Sequence, residues 1–196
     1  YNIAVDHPYF YDNRFEHLLE DDKILPGLIK KYHHLSIDRE HQKYMRTFYP
    51  QFDEAGFLPL AGTRLDGKSA DTVICDKIAK ETKAKDKSRD IIFTGNYTDL
   101  AFFDQYIYGI NDEYAQFYMG MIDDLIANPD KTVENVIISH CNEEMGPQRL
   151  SDLRVPIHKT IFVDMFVRSY FRGKMIQTLA NAGFEIAVVG AGWETL

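Results

Sequence analysis

Apolar positions change their spacing several times along this chain, and each change predicts an element. Near the C-terminus Ile161, Phe162, Met165, Phe166, Ile176 and Leu179 recur at helical spacing, and Asn181-Ala182-Gly183 supplies residues that tolerate a left-handed helix cap. Phe184 to Val189 is then a short β-branched run of the kind that fills a parallel strand covered on both faces. A glycine loop, Gly190 to Thr195, follows it. Helix, tight turn, buried strand and glycine loop in succession read as the second half of a nucleotide-type βαβ unit.

The rest of the chain is patterned in the same vocabulary. Asn2 to Asp6 is a short apolar strand ending in Asp6-His7-Pro8, where proline stops a central strand. A short helix is predicted around Phe15 to Glu20, with a break at Pro26-Gly27. His34 to Asp38 reads as the next strand, and Asp38 is placed to cap a helix over Arg39 to Phe48. Gly56 to Gly62 is extended and held to a sheet edge or strand end by Pro59, and a charged helix is predicted over Ser69 to Lys85. Ile91 to Tyr97 restarts the strand pattern and ends in a glycine turn. Helices are then predicted over Thr98 to Tyr108, Asp112 to Ala127 and Thr132 to Cys141, with breaks at Gly109, Pro129 and Gly146-Pro147. They exceed the dozen or so residues that a βαβ crossover requires, and so read as a helical insertion.

Composition narrows the function classes. The 196 residues are 45% hydrophobic and 27% charged, ordinary for a globular protein with a substantial core. No apolar run approaches the roughly 20 residues of a membrane span. A net charge of -8 argues against non-specific nucleic-acid binding, which needs a basic face. The one dense basic run, Lys77 to Arg89, is interleaved with Asp76, Glu81 and Asp86, as on a solvated helix face. Cys75 and Cys141 are isolated, which suggests neither a disulfide framework nor a zinc site and fits a reducing cytoplasm. Tyr1 and Leu196 both read as cuts from a longer protein.

Taken in order, the landmarks resemble a known family. They are the strand ending in Asp6-His7-Pro8, the strand ending in Asp38 with His41 and Tyr44 on the next helix, Phe57 to Gly62, and Ile92 to Gly95. The final helix with Arg168 and Arg172 follows, then Ala182 to Gly190, Gly192 and Trp193. The chain is similar to the central part of CgeB-like, or spore-maturation-type, bacterial glycosyltransferases of the GT-B fold, outside the insertion. The resemblance implies an α/β protein with Rossmann-like parallel sheets in two lobes. Residues 1–65 would end the N-terminal lobe, 66–90 would connect the lobes, and 91–196 would begin the C-terminal lobe, with the insertion at about 98–156. It implies a nucleotide-sugar donor on the second lobe, an unidentified acceptor, a catalytic base from the first, and neither cofactor nor catalytic metal. The long insertion departs from the family's short crossover. The later donor-lobe segment with its acidic contact is missing, so the fragment by itself would not be a complete catalyst.

The candidate residues admit two readings each. Asp6 and His7 sit at a strand tip where a general base could deprotonate an acceptor hydroxyl, or they are a turn aspartate beside a half-buried histidine. Gly95, Asn96, Gly190, Gly192 and Trp193 are donor-side candidates, backbone donors at strand ends, or residues that a turn requires. Asp38 and His41 look like a metal pair but are explained by a helix cap and first turn. Asp164, Arg168 and Arg172 form an i,i+4 ridge suited to ion pairs. Phe102, Phe103, Tyr106, Tyr108, Tyr114, Phe117 and Tyr118 are the insertion's aromatics, for core packing, sugar stacking or a protein partner. The alternative to the transferase is a non-catalytic Rossmann-like scaffold whose helical insertion mediates protein interaction. A metal-dependent hydrolase built on Asp6, His7, Asp38 and His41 ranks last.

Overall fold

The structure is a computed structural model and describes residues 2–4, 6–52, 56–59 and 89–196. The chain forms two compact units, each built from two segments. Tyr1–Pro59 joins Phe103–Val167, and Leu60–Phe102 joins Arg168–Leu196. The predicted helix over 69–85 lies outside the described residues.

In the first unit β1 (Asn2–Ala4), β2 (His34–Ser36) and β3 (Gly56–Phe57) form a parallel sheet in that order, with Asn2 opposite His34 and Leu35 opposite Gly56. Helix α1 (Asp12–Ile24) connects β1 to β2, and α2 (Arg39–Phe48) connects β2 to β3. The chain is thus α/β with parallel strands, and this β-α-β-α-β order is that of half a doubly wound sheet. Asp38 caps α2 as its sequence position predicts, its Oδ1 accepting the Glu40 N–H at 2.7 Å. Helix α1 is longer than the turn or two expected around Phe15 and runs on to Ile24, where Pro26 and Gly27 (φ 93°) end it.

After residue 103 the unit is helical: α3 (Asp104–Ile107), α4 (Asp112–Ala127), α5 (Val133–Met145) and α6 (Arg154–Lys159). The helix predicted over Thr98 to Tyr108 is instead a 3-10 turn, Leu100–Phe103, followed by the single turn α3. Only Phe103 and Ile107 are buried there, which gives too narrow an apolar stripe to hold three turns of helix in place. Asn111 and Thr132 cap α4 and α5, accepting the N–H groups of Tyr114 at 3.0 Å and Asn135 at 3.3 Å. Met121, Ile122 and Leu125 of α4 and Val136, Ile137 and Cys141 of α5 are buried. Beside β2, Phe15 packs on Tyr49, Phe52 and His34 with ring centroids 4.7, 5.5 and 5.5 Å apart.

Helix α7 (Ile161–Asn181) carries Val163 and Val167 in the first unit's core and Ile176 in the second. It ends in a paired C-cap: the Gly183 N–H donates to Ala180 O at 2.9 Å and the Phe184 N–H to Leu179 O at 3.2 Å. That pattern needs the left-handed φ of 91° that Gly183 supplies, as the Asn181-Ala182-Gly183 signal predicts.

In the second unit β4 (Ile91–Thr94) and β5 (Ile186–Val189) pair in parallel, Ile91 opposite Ile186 through Thr94 opposite Val189. The β5 run was expected to be covered on both faces, yet Ile92 is 68% and Val189 58% exposed. Alternation puts these two on the same face of the ribbon. β-branched composition marks a strand but does not supply the element that covers it.

Candidate functional site

The first unit gathers its polar side chains at the C-terminal end of β1. His7 leaves the strand in an extended conformation (φ -58°, ψ 138°), as a residue before proline does. Pro8 opens a 3-10 turn, Pro8–Tyr11, where a missing N–H costs nothing. His7 caps that turn, its Nδ1 accepting the Tyr9 N–H at 3.3 Å. The ring proton therefore sits on Nε2, and Nε2 meets Oε1 of Glu134. The imidazole stacks on Tyr9 (centroids 3.9 Å apart) and touches His41 (4.6 Å) and Tyr44 (4.8 Å) edge-on.

Glu134 comes from the first turn of α5, where the helix dipole favours a negative charge. Burial works to raise its pKa. The hydrogen bond to His7 and the charge that the histidine carries when protonated, with hydrogen bonds from its own backbone and Thr132, outweigh that and hold it below the usual glutamate value. Tyr44 is 4% exposed, and its hydroxyl finds no hydrogen-bond partner among the described residues. Burial, reinforced by the charges of Asp12 and Glu134, pushes this phenol far above its ordinary pKa, so it stays a donor.

Two further groups brace the cluster. The Tyr9 hydroxyl donates to Oδ2 of Asp164, both residues being buried, and the Tyr9 carbonyl accepts from Nδ1 of His158 at 3.1 Å. Arg154 reaches from α6 to α1, with Nη1 3.2 Å from Asp12 Oδ1 and from the Tyr49 hydroxyl, and Nη2 2.6 Å from Glu16 Oε1. Asp12 is buried, and desolvation raises its pKa despite Arg154 and His158. On β2, buried His34 lies 3.1 Å from the Ser36 hydroxyl. Burial first, and the charge of His41 second, lower its pKa to about 4.

The loops of the second unit close on one another. The Trp193 Nε1–H donates to Gly95 O at 2.7 Å, the Ala191 N–H to Asn96 Oδ1 at 3.0 Å, and Arg172 Nη1 to Asn96 O at 3.0 Å. Trp193 stacks on Tyr97 at 5.2 Å and meets Phe93 edge-on at 5.3 Å. A Cβ on Gly190 would stand 2.1 Å from Gly95 O, and one on Gly192 2.0 Å from Tyr97 O. Both glycines therefore have a packing reason for lacking a side chain, whatever else they bind.

Of the predicted residues, His7 enters the polar cluster while Asp6 beside it is exposed. Gly95, Asn96, Gly190, Gly192 and Trp193 come together in the second unit. Asp38 serves as a cap, and His41 packs against His7. Among the described residues no group of three or more His, Cys, Asp and Glu could hold a metal ion. Sequence reasoning passed over Tyr9, Asp12, Glu134 and Arg154. The partners that draw their side chains into the cluster, Asp164, Arg154, His7 and Asp12 respectively, lie more than a hundred residues away, so no local spacing announces them. Comparison with known proteins finds no matching family model, no curated relative and no similar solved structure.

Proposed function

We propose that this chain is part of a glycosyltransferase of the GT-B type that moves a sugar from a nucleotide-sugar donor to an acceptor hydroxyl. The observation that carries the reading is positional. His7 follows the C-terminal end of a parallel strand in one unit, and Gly95-Asn96 and Gly190 to Trp193 follow the ends of two parallel strands in the other. Strand ends of parallel sheets are where open α/β proteins bind nucleotides.

On this reading His7 is the general base. With Nε2–H directed at Glu134, its remaining lone pair is on Nδ1, held only by the long contact to the Tyr9 amide. Nδ1 takes the proton of the acceptor hydroxyl, and Glu134 stabilises the imidazolium that forms. The loops around Gly95 and Gly190 offer backbone N–H groups to the departing diphosphate.

A screen of nucleotide diphosphates and nucleotide sugars by thermal shift, with sugar release followed in parallel, tests this. One nucleotide class is expected to raise the melting temperature, since a ligand at about a hundred times its Kd adds about 2.7 kcal/mol. In the full-length parent, His7→Ala is expected to keep that shift and lose transfer. No response to any nucleotide from the folded full-length parent would remove the proposal. The second reading, a non-catalytic scaffold whose helical insertion mediates protein interaction, is favoured by how fully the second unit's loops bond to each other.

A further inference from the structure

The insertion carries exposed aromatics that its core does not use. Tyr106, Tyr108, Ile110 and Tyr114 lie within nine positions and are each between 45% and 62% exposed. Single exposed apolar residues need no explanation, but Tyr106 and Tyr114 are joined through Phe162 and Tyr118. Tyr106 stacks on Phe162 of α7 (centroids 5.6 Å apart, rings 19° from parallel), and Tyr118 stands edge-on to the same ring at 5.0 Å. Tyr118 in turn lies 6.0 Å from Tyr114.

The segment that carries these tyrosines has charge of one sign, although Lys159 lies three residues before Phe162 on the neighbouring element. From Thr98 to Asp130 the chain has seven carboxylates, Asp99, Asp104, Asp112, Glu113, Asp123, Asp124 and Asp130, and no lysine or arginine. Lys131, the next cation, is bound by Asp124 at 2.8 Å. Asp104, Asp112 and Glu113 are exposed and make no ion pair among the described residues. Tyrosine faces carry the negative lobe of the ring quadrupole, so rings and carboxylates attract the same kind of ligand, a cation.

We propose that the face formed by Tyr106, Tyr108, Tyr114 and the flanking Asp104, Asp112 and Glu113 docks a lysine- or arginine-rich segment of another protein. The charge pattern disfavours the other occupants. A second copy meeting this face with its own would oppose like charges, and anionic lipid and nucleic acid are repelled. A neutral glycan would stack on the rings and hydrogen-bond the carboxylates but gain no charge attraction from them. The proposal is independent of sugar transfer and gives the interaction reading its partner class, so a failed nucleotide screen leaves it standing.

Binding of a fluorescein-labelled hexa-arginine peptide, read by anisotropy at about 0.15 M salt, tests it. Three double variants, each checked for a native circular dichroism spectrum, are compared with the parent chain. They are Tyr106→Ser with Tyr114→Ser, Asp112→Asn with Glu113→Gln, and a control of equal charge change on α1, Glu20→Gln with Asp21→Asn. Each patch variant is expected to weaken binding about tenfold. The control is expected to stay within about twofold, as an exposed charge outside the site would. Equal weakening by the control would overturn the proposal in favour of general attraction to a chain of net charge -8. Undiminished binding by the tyrosine variant would also overturn it. So would binding of maltohexaose, lost in that variant, without binding of hexa-arginine.

Discussion

Replacing Arg154 by methionine tests how the first unit is held together. Methionine keeps the unbranched stem and removes the guanidinium that reaches Asp12, Glu16 and the Tyr49 hydroxyl. Glu16 is half exposed and returns to water at little cost, whereas Asp12, 2% exposed, cannot. Breaking a buried pair by removing one partner costs about 3–5 kcal/mol, because a desolvated charge is left without its counterion. Protonation of Asp12 caps that cost, since desolvation already raises its pKa with the arginine present and raises it further without it. We therefore expect a loss of about 3 kcal/mol at pH 7.5, at the low end of the range for a broken buried pair. The pH dependence has a definite sign. A carboxyl whose folded pKa is raised binds more protons folded than unfolded, so it costs least at low pH and its cost grows as pH rises through the folded pKa. The penalty in the variant should accordingly shrink as pH is lowered from 7.5 toward the ordinary carboxylate range. Urea unfolding followed by circular dichroism measures it at each pH, and Asp12→Asn in the same chain should restore most of the loss at pH 7.5. A penalty below about 1 kcal/mol, the value of a surface pair, would refute the argument. So would a double variant no more stable than the single one.

Two further outcomes follow from the same geometry. His34 has its pKa lowered to about 4 from 6.5, so its contribution to stability is complete above pH 6.5 and is lost as pH falls toward 4. The loss amounts to about 3 kcal/mol for this fully buried ring. A series of urea midpoints should show it in the parent and not in His34→Gln, and identical pH profiles would count against it. Gly190→Ala should disrupt the second unit's loops, because its Cβ would collide with Gly95 O and its φ is 149°. Strain of this kind costs about 1–3 kcal/mol before the collision is counted. A red shift and broadening of Trp193 emission would report it, whereas an unchanged spectrum and midpoint would show that the loop yields freely.

The sequence makes legible whatever is decided within a few residues. The Asp38 cap, the Gly183 helix end, the extents of α2 and α4 and the strands at Ile91 and Ile186 all rest on neighbours in the chain, and local periodicity identifies them. His7 was visible for a similar reason, since a polar pair before proline marks a strand tip. Its environment was not visible. Glu134, which holds Nε2, lies in another segment, and the same is true of Asp164 against Tyr9 and Arg154 against Asp12. The aromatics of the insertion divide as no pattern could foretell. Phe103 is buried, whereas Tyr106, Tyr108 and Tyr114 are exposed, because helix ends and short turns offer too few positions to define a face. For Gly190 and Gly192 spacing identifies the loop but not the close approach of the Gly95 and Tyr97 carbonyls, which leaves no space for a Cβ at either position.

The discontinuous make-up of the first unit bears on how the chain is born. Tyr9 donates to Asp164 across 155 residues. At a synthesis rate of about 5–20 residues per second, the segment carrying Tyr9, Phe15 and Tyr49 emerges roughly 8–30 s before its counterpart. During that interval the Phe15, Tyr49 and Phe52 rings can already pack on one another, but the Tyr9 hydroxyl, Asp12 and His7 lack the Asp164, Arg154 and Glu134 that later hold them. The first unit is therefore complete only when the chain has reached Val167, within the first two turns of α7, and its buried polar pairs close at the end of synthesis of that unit and not at its start.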